Sequence, residues 1–166
     1  MNNLVAIILC GGKGVRLRPL TNDIPKPLIN IDNKPILSHV IKHLRTHGIK
    51  KFIIATGYQS NKIKEFMEET YVDLDYKLVD SGDVGILARV QDCIKGINSD
   101  FLLCYGDTIS DINLTDLVKF HRKNSESVTI SSFPIMIPFG VMEVDENNNV
   151  KSFNEKPILQ NVMNIG

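Results

Sequence analysis

The chain alternates between short aliphatic runs and stretches whose apolar residues recur at helical spacing. Leu4 to Leu9 is a continuous aliphatic run closed by Gly11 and Gly12. That is the pattern of a strand buried on both faces and stopped by a tight turn, as parallel sheets require. After Pro35 the apolar residues are Ile36, Leu37, Val40, Ile41 and Leu44, with Gly48 beyond them. Proline suits a first helical turn and glycine a helix end, so this segment predicts a helix. Ile49 to Thr56 predicts a second strand, Asn61 to Glu69 a helix after the turn at Gly57 and Tyr58, and Leu74 to Val79 a third strand. Ile86, Leu87, Val90, Cys93, Ile94 and Ile97 mark another helix. Phe101 to Tyr105 is a short strand stopped at Gly106 and Asp107, and Leu114, Leu117, Val118 and His121 mark a further helical face. After Val128 to Phe133 the alternation breaks. Gly140 to Val144 and Val150 to Phe153 then predict two strands joined by a turn at Asp145 to Asn149.

This order predicts an α/β protein: a Rossmann-like, doubly wound, mostly parallel sheet with a C-terminal β-hairpin extension. With 166 residues, 43% of them hydrophobic, there is enough apolar side chain for a substantial core. No repeat, low-complexity stretch or linker interrupts the chain, so residues 1–166 are expected to form a single domain.

Charge narrows the choice of partner. Lys plus Arg total 19 and Asp plus Glu total 19, so net charge offers nothing to draw a polyanion, and no nucleic-acid partner is expected. The distribution is uneven: residues 1–51 hold nine Lys or Arg against Asp23 and Asp32. A basic N-terminal portion suits an anionic ligand, although such asymmetry also describes plain solvated surface. Cys10, Cys93 and Cys104 are widely spaced and form no CxxC pair, which points to a reduced, cytoplasmic compartment. No stretch approaches the roughly 20 apolar residues of a membrane span, so no membrane partner is expected.

Three segments carry candidate chemistry. Cys10 to Thr21, CGGKGVRLRPLT, follows the first strand. Its glycines let backbone approach a ligand, successive amides in such a turn can cradle an anion, and Arg16 and Arg18 add fixed cations. The alternative is a structural turn. A Walker A loop, GxxxxGKS/T, is absent, and the dinucleotide fingerprint fails where Leu17 stands in place of its third glycine. Lys26 lies between Pro25 and Pro27, which stiffen the backbone that carries it. The second segment, Tyr105-Gly106-Asp107, ends an apolar strand, at the sheet edge where α/β folds bind ligands. A carboxylate there suits a divalent cation bridging phosphates, or alternatively caps the next turn. The third, Phe153 to Pro157, places Glu155 beside Lys156 after the predicted hairpin.

GGxGxRLxPLT followed by IPKPL at Ile24 to Leu28 resembles the N-terminal signature of the sugar-phosphate nucleotidyltransferases, whose fold is of the GT-A-like kind. LLCYGDTISDINLTDL and GYQSNKIKEF resemble the glucose 1-phosphate cytidylyltransferase branch in particular. The resemblance implies a nucleoside triphosphate and a sugar 1-phosphate as partners, Mg²⁺ as cofactor and a homo-oligomer. It implies catalytic roles for Arg16, steadying the triphosphate, and Lys26, holding the reacting phosphates together. Leu9, Gly11, Gly12, Gly14, Arg16, Gly85 and Gly106 would line the nucleotide, and Asp107 would bind the metal. Gly140, Glu155, Lys156 and Asn164 would contact the sugar, with Asn164-Ile165-Gly166 at the edge of that stretch. Ile86 departs from the threonine that relatives often carry after the glycine of the base-reading turn, which leaves the base open. Relatives continue further and add a second acidic metal ligand, so the chain is expected to be part of a longer enzyme. Two other readings stay open: a cytidylyltransferase for phosphocholine-like phosphates, against which the EKP segment argues, and a non-catalytic nucleotide-binding domain.

Overall fold

The computed structural model of the chain describes residues 4–124 and 127–164, with side chains as far as residue 158. The first strand, β1, is Val5–Leu9. Three single-turn 3-10 helices follow at Val15–Leu17, Leu20–Asn22 and Lys26–Leu28. Two short strands, β2 (Asn30–Ile31) and β3 (Lys34–Pro35), form a hairpin. Its turn residues Asp32 and Asn33 both take positive φ, at 49° and 60°, as a two-residue hairpin loop of matching twist demands. Pro35 is therefore extended, at φ −54° and ψ 143°, and caps the helix rather than lying in its first turn.

Next come α1 (Ile36–Thr46), β4 (Lys51–Thr56), α2 (Ser60–Thr70), β5 (Asp75–Asp80), α3 (Ile86–Cys93), β6 (Phe101–Tyr105) and α4 (Leu114–Asn124). Each was predicted within a few residues. The helix predicted to reach Ile97 stops at Cys93, because Gly96 adopts φ 85° in a turn in which the Ile97 amide donates to the Ile94 carbonyl at 2.9 Å. That turn still lets Ile94 and Ile97 pack against the sheet.

The sheet runs in the order β5-β4-β1-β6, and every pairing is parallel. From β1 the chain steps outward to β4 and β5, then returns past β4 to place β6 on the other flank of β1. Alternation of side chains along the strands divides the core between the two faces. Ala6, Ile8, Phe52 and Ile54 pack on one face with Leu37, Ile41 and Leu44 of α1, Ile63 and Met67 of α2, and Leu114 of α4. Ile7, Ile53 and Ala55 pack on the other face with Cys93 of α3. This is the doubly wound arrangement, and it puts the switch in strand order between β1 and β6, where such sheets bind ligands.

By contact, the chain divides into two compact units, one up to residue 125 and one from residue 126 onward. The second unit contains β7 (Ser132–Met136), β8 (Val141–Val144), β9 (Val150–Asn154) and β10 (Ile158–Asn164). Strands β8 and β9 form the expected antiparallel hairpin. Its turn closes through the Asp145 carboxylate, which accepts from the amides of Asn147 at 2.9 Å and Asn149 at 2.8 Å. Strand β7 pairs antiparallel with β10, Asn164 against Ser132 and Met163 against Phe133. Among the described residues no helix is long and apolar enough to cross a membrane.

Ile8 is fully buried in β1 and faces the larger apolar cluster. Ile8→Ala should therefore lower unfolding free energy by about 2–5 kcal/mol in urea titrations, without shifting the far-ultraviolet spectrum of the folded protein.

Candidate active site

The edge formed by the C-terminal ends of β1, β4, β5 and β6 is held by backbone bonds. The Gly106 amide donates to the Leu9 carbonyl at 2.9 Å, the Cys10 amide to Ala55 at 2.8 Å, and the Tyr58 amide to Gly11 at 3.2 Å. Gly106 sits so close to β1 that a Cβ there would lie 2.5 Å from Cys10 Sγ and 3.0 Å from the Leu9 carbonyl oxygen. Burial pushes the thiols of Cys10 and Cys104 well up, Cys104 to about 12, so both stay neutral and act as small apolar side chains.

The glycine turn is folded back on itself. Gly14 takes the left-handed conformation, φ 60° and ψ 29°, and starts the 3-10 turn that carries Arg16. Thr21, fully buried, donates its hydroxyl to the Gly14 carbonyl at 2.9 Å. The strap from Thr21 to Asp23 is fastened by the β4–α2 turn: Tyr58 Oη donates to Thr21 and Asn22 carbonyls at 3.2 Å each, Gln59 Nε2 to Asn22 at 2.7 Å, and Lys62 Nζ to Asp23. The path from Gly14 to Lys26 is thereby fixed.

At the end of that path the Lys26 ammonium lies 2.7 Å from Asp107 Oδ2. The glycine turn after β1 and the carboxylate after β6 thus meet at the switch point. These side chains are 32% and 28% exposed, so the pair is reachable from solvent and its attraction is partly screened. Arg16 is exposed on its single turn nearby in the chain. An exposed ion pair, Lys13 Nζ to Asp83 Oδ2 at 2.6 Å, links the glycine turn to the segment after β5. Gly85 caps α3 at the end of that segment.

Arg89 gave no signal in the sequence beyond a charge on an apolar helical face. In the structure its buried guanidinium donates to the Thr56 carbonyl and to Gly82 and Val84 carbonyls at 3.0 and 3.2 Å. Thr21 and Tyr58 were likewise missed, since neither residue type at those positions announces a loop contact.

Within the second unit, Gly140 and Glu155 come together. A Cβ on Gly140 would overlap the Phe153 ring and lie 3.1 Å from Glu155 Oε2. Lys156 follows with φ 45°, a left-handed backbone that turns the chain there. Asn164 lies at the end of β10, paired with Ser132, while Ile165 and Gly166 fall outside the described residues.

A parallel α/β sheet with a glycine turn, an ammonium and a carboxylate gathered at its switch point has the makings of a ligand site at the place where such folds bind ligands. Residues 5–166 match the Nucleotidyl transferase family, and the chain belongs to it. It is 34% identical to the probable glucose-1-phosphate cytidylyltransferase of Bacillus subtilis (strain 168), over 97% of this chain and 72% of that protein. It is also 34% identical to the D-glycero-alpha-D-manno-heptose 1-phosphate guanylyltransferase of Campylobacter jejuni, over 91% of this chain and 68% of the relative. The crystal structure of HddC from Yersinia pseudotuberculosis superposes with a TM-score of 0.76 at 23% identity, covering 98% of this chain and 74% of that one, which places the fold.

The tight approach of Gly106 to Cys10 makes a specific expectation. Gly106→Ala should lower the melting temperature, and Cys10→Ala in the same chain should recover part but not all of the loss, since the Leu9 carbonyl remains in the way. Thermal unfolding of the two single variants and the double variant measures the coupling.

Proposed function

We propose that the chain catalyses transfer of a nucleotidyl group from a nucleoside triphosphate to a sugar 1-phosphate, with CTP and glucose 1-phosphate as substrates. Support for the reaction class comes from family membership; support for the particular pair comes from the similarity to a glucose-1-phosphate cytidylyltransferase, although the guanylyltransferase relative is equally identical in sequence. The observation that carries the reading is the 2.7 Å contact of Lys26 with Asp107 beside the glycine turn.

In this reaction a phosphate oxygen of the sugar phosphate attacks the α-phosphorus, a new P–O bond forms, and the bond to the leaving pyrophosphate breaks. Three anionic groups must share one site, so positioning and fixed positive charge supply most of the catalysis. The glycine turn at Gly11, Gly12 and Gly14, with Leu9 and Gly106 behind it, receives the nucleotide. Arg16 grips the triphosphate, and Lys26 exchanges its carboxylate partner for the oxygens of the two reacting phosphates. The segment at the end of β5, through Gly85, reads the base. Gly140, Glu155, Lys156 and Asn164 are assigned to the sugar phosphate.

The donor set fits Mg²⁺. Asp107 offers hard carboxylate oxygens, and no cluster of three His, Cys, Asp or Glu able to hold a metal occurs among the described residues. Magnesium suits a single protein carboxylate, because it retains waters and accepts phosphate oxygens as further ligands. When bound, it neutralises charge that builds on the phosphates.

Pyrophosphate release should be assayed with four nucleoside triphosphates crossed with glucose 1-phosphate, mannose 1-phosphate and phosphocholine. CTP with glucose 1-phosphate is expected to be fastest; turnover with phosphocholine alone would replace the sugar reading. Asp107→Asn should reduce turnover by at least about 100-fold while leaving the melting transition intact. Retained activity would remove Asp107 from the site. Nucleotide binding by calorimetry with no product from any pair would favour a non-catalytic binding domain.

A further inference from the structure

Arg89 is the one charged side chain buried among the described residues, at 5% exposure. Burying a guanidinium is costly unless its donors are met. Here they are met by backbone carbonyls: no ion pair between Arg89 and a carboxylate is present among the described residues.

The acceptors come from separate segments. Nη1 donates to Thr56, the last residue of β4, and Nη2 donates to Gly82 at 3.0 Å and Val84 at 3.2 Å, beyond β5. The guanidinium also lies against Gly11 and Gly57, where any Cβ would overlap it. One cation therefore touches the glycine turn after β1, the end of β4 and the 82–84 segment. The Thr56 and Gly82 carbonyls also accept from the amides of Ser81 at 3.4 Å and Val84 at 3.1 Å, but only the guanidinium bonds both segments at once, which an aliphatic side chain filling the same space could not do. The planar fork of a guanidinium can address carbonyls on two segments at once, which an ammonium on a flexible stem does poorly. The other tie between the glycine turn and this segment, Lys13 to Asp83, is 48% and 79% exposed and therefore weak.

We propose that Arg89 is a positioning residue that sets the spacing between the phosphate-binding glycine turn and the base-reading segment, and so governs discrimination among nucleoside triphosphates. The inference rests on the nucleotidyl-transfer reading and deepens it. Buried behind the loops, Arg89 acts through Gly11, Gly82 and Val84. Displacing it should disturb recognition of the base more than grip on the phosphates.

The test uses the whole chain carrying Arg89→Lys and, separately, Arg89→Gln, which keeps a planar amide donor but loses the charge and the two-pronged reach. Calorimetric affinity is measured for the four nucleoside triphosphates and for inorganic tripolyphosphate, which has no base. KM and kcat come from pyrophosphate release, and melting temperature reports the fold. In both variants KM for the preferred triphosphate should rise between about 10- and 100-fold, and its advantage over the other three should shrink. Tripolyphosphate affinity and KM for the sugar phosphate should change less than about threefold. If Arg89→Lys does not fold, Arg89→Gln carries the same comparison. A folded variant that keeps full discrimination, or that loses tripolyphosphate and nucleotide affinity equally, would overturn the inference. Wild-type chain with no turnover on any pair would instead overturn the reaction reading, while the binding comparison still judges Arg89.

Discussion

The site depends on the parallel pairing of β1 with β6. That pairing sets Leu9 opposite Tyr105, and the next residues on each side carry the glycine turn and the Gly106-Asp107 pair. The Gly106 amide is tied to Leu9 at 2.9 Å, and the closeness of the backbones leaves no room for a side chain at 106. Residues remote in sequence are thereby delivered to one place by the ladder of hydrogen bonds that ties the edge strand β6 to the buried strand β1.

The loop from Gly14 to Lys26 has no regular structure beyond single 3-10 turns, so its shape must come from elsewhere. It comes from buried Thr21, which fastens the loop inwardly, and from Tyr58, Gln59 and Lys62, whose donors meet the carbonyls of residues 21 to 23. Backbone carbonyls met in this way satisfy polar groups that the loop cannot pair by itself. The ammonium of Lys26 is then aimed at Asp107 in a half-open setting, where opposite charges attract without the heavy desolvation cost of a fully buried pair. Such a pair can be exchanged for other partners.

The elements were legible where burial writes itself into the sequence. Leu4 to Leu9 and Ile49 to Thr56 read as strands because a sheet covered on both faces needs unbroken aliphatic runs, and α1 read as a helix because Leu37, Ile41 and Leu44 share a face against that sheet. Where pairing rather than burial decided the boundary, the reading slipped. Strand β7 pairs with β10 in a register that no local pattern announces, Asn164 against Ser132 and Ile158 against Met136. Strand β10 itself, Ile158–Asn164, was not anticipated: its sequence carries no clean alternation, and its register with β7 shifts between Ile158 and Val162. Arg89 illustrates the same limit at the site, since an arginine among Ile86, Val90 and Cys93 discloses nothing about carbonyls contributed by β4 and the turn after β5.

By itself the sequence determined the period of each element, the doubly wound class, and the kinds of group available: glycines that let backbone close in, cations near the N-terminus, and a carboxylate at a strand end. These are local properties, fixed by sterics and by the side of an element that must avoid water. Only the tertiary structure decided which of those groups meet. Strand order, loop anchoring and the placement of a buried guanidinium depend on hydrogen bonds between segments far apart along the chain, and no local pattern encodes a partner's carbonyl.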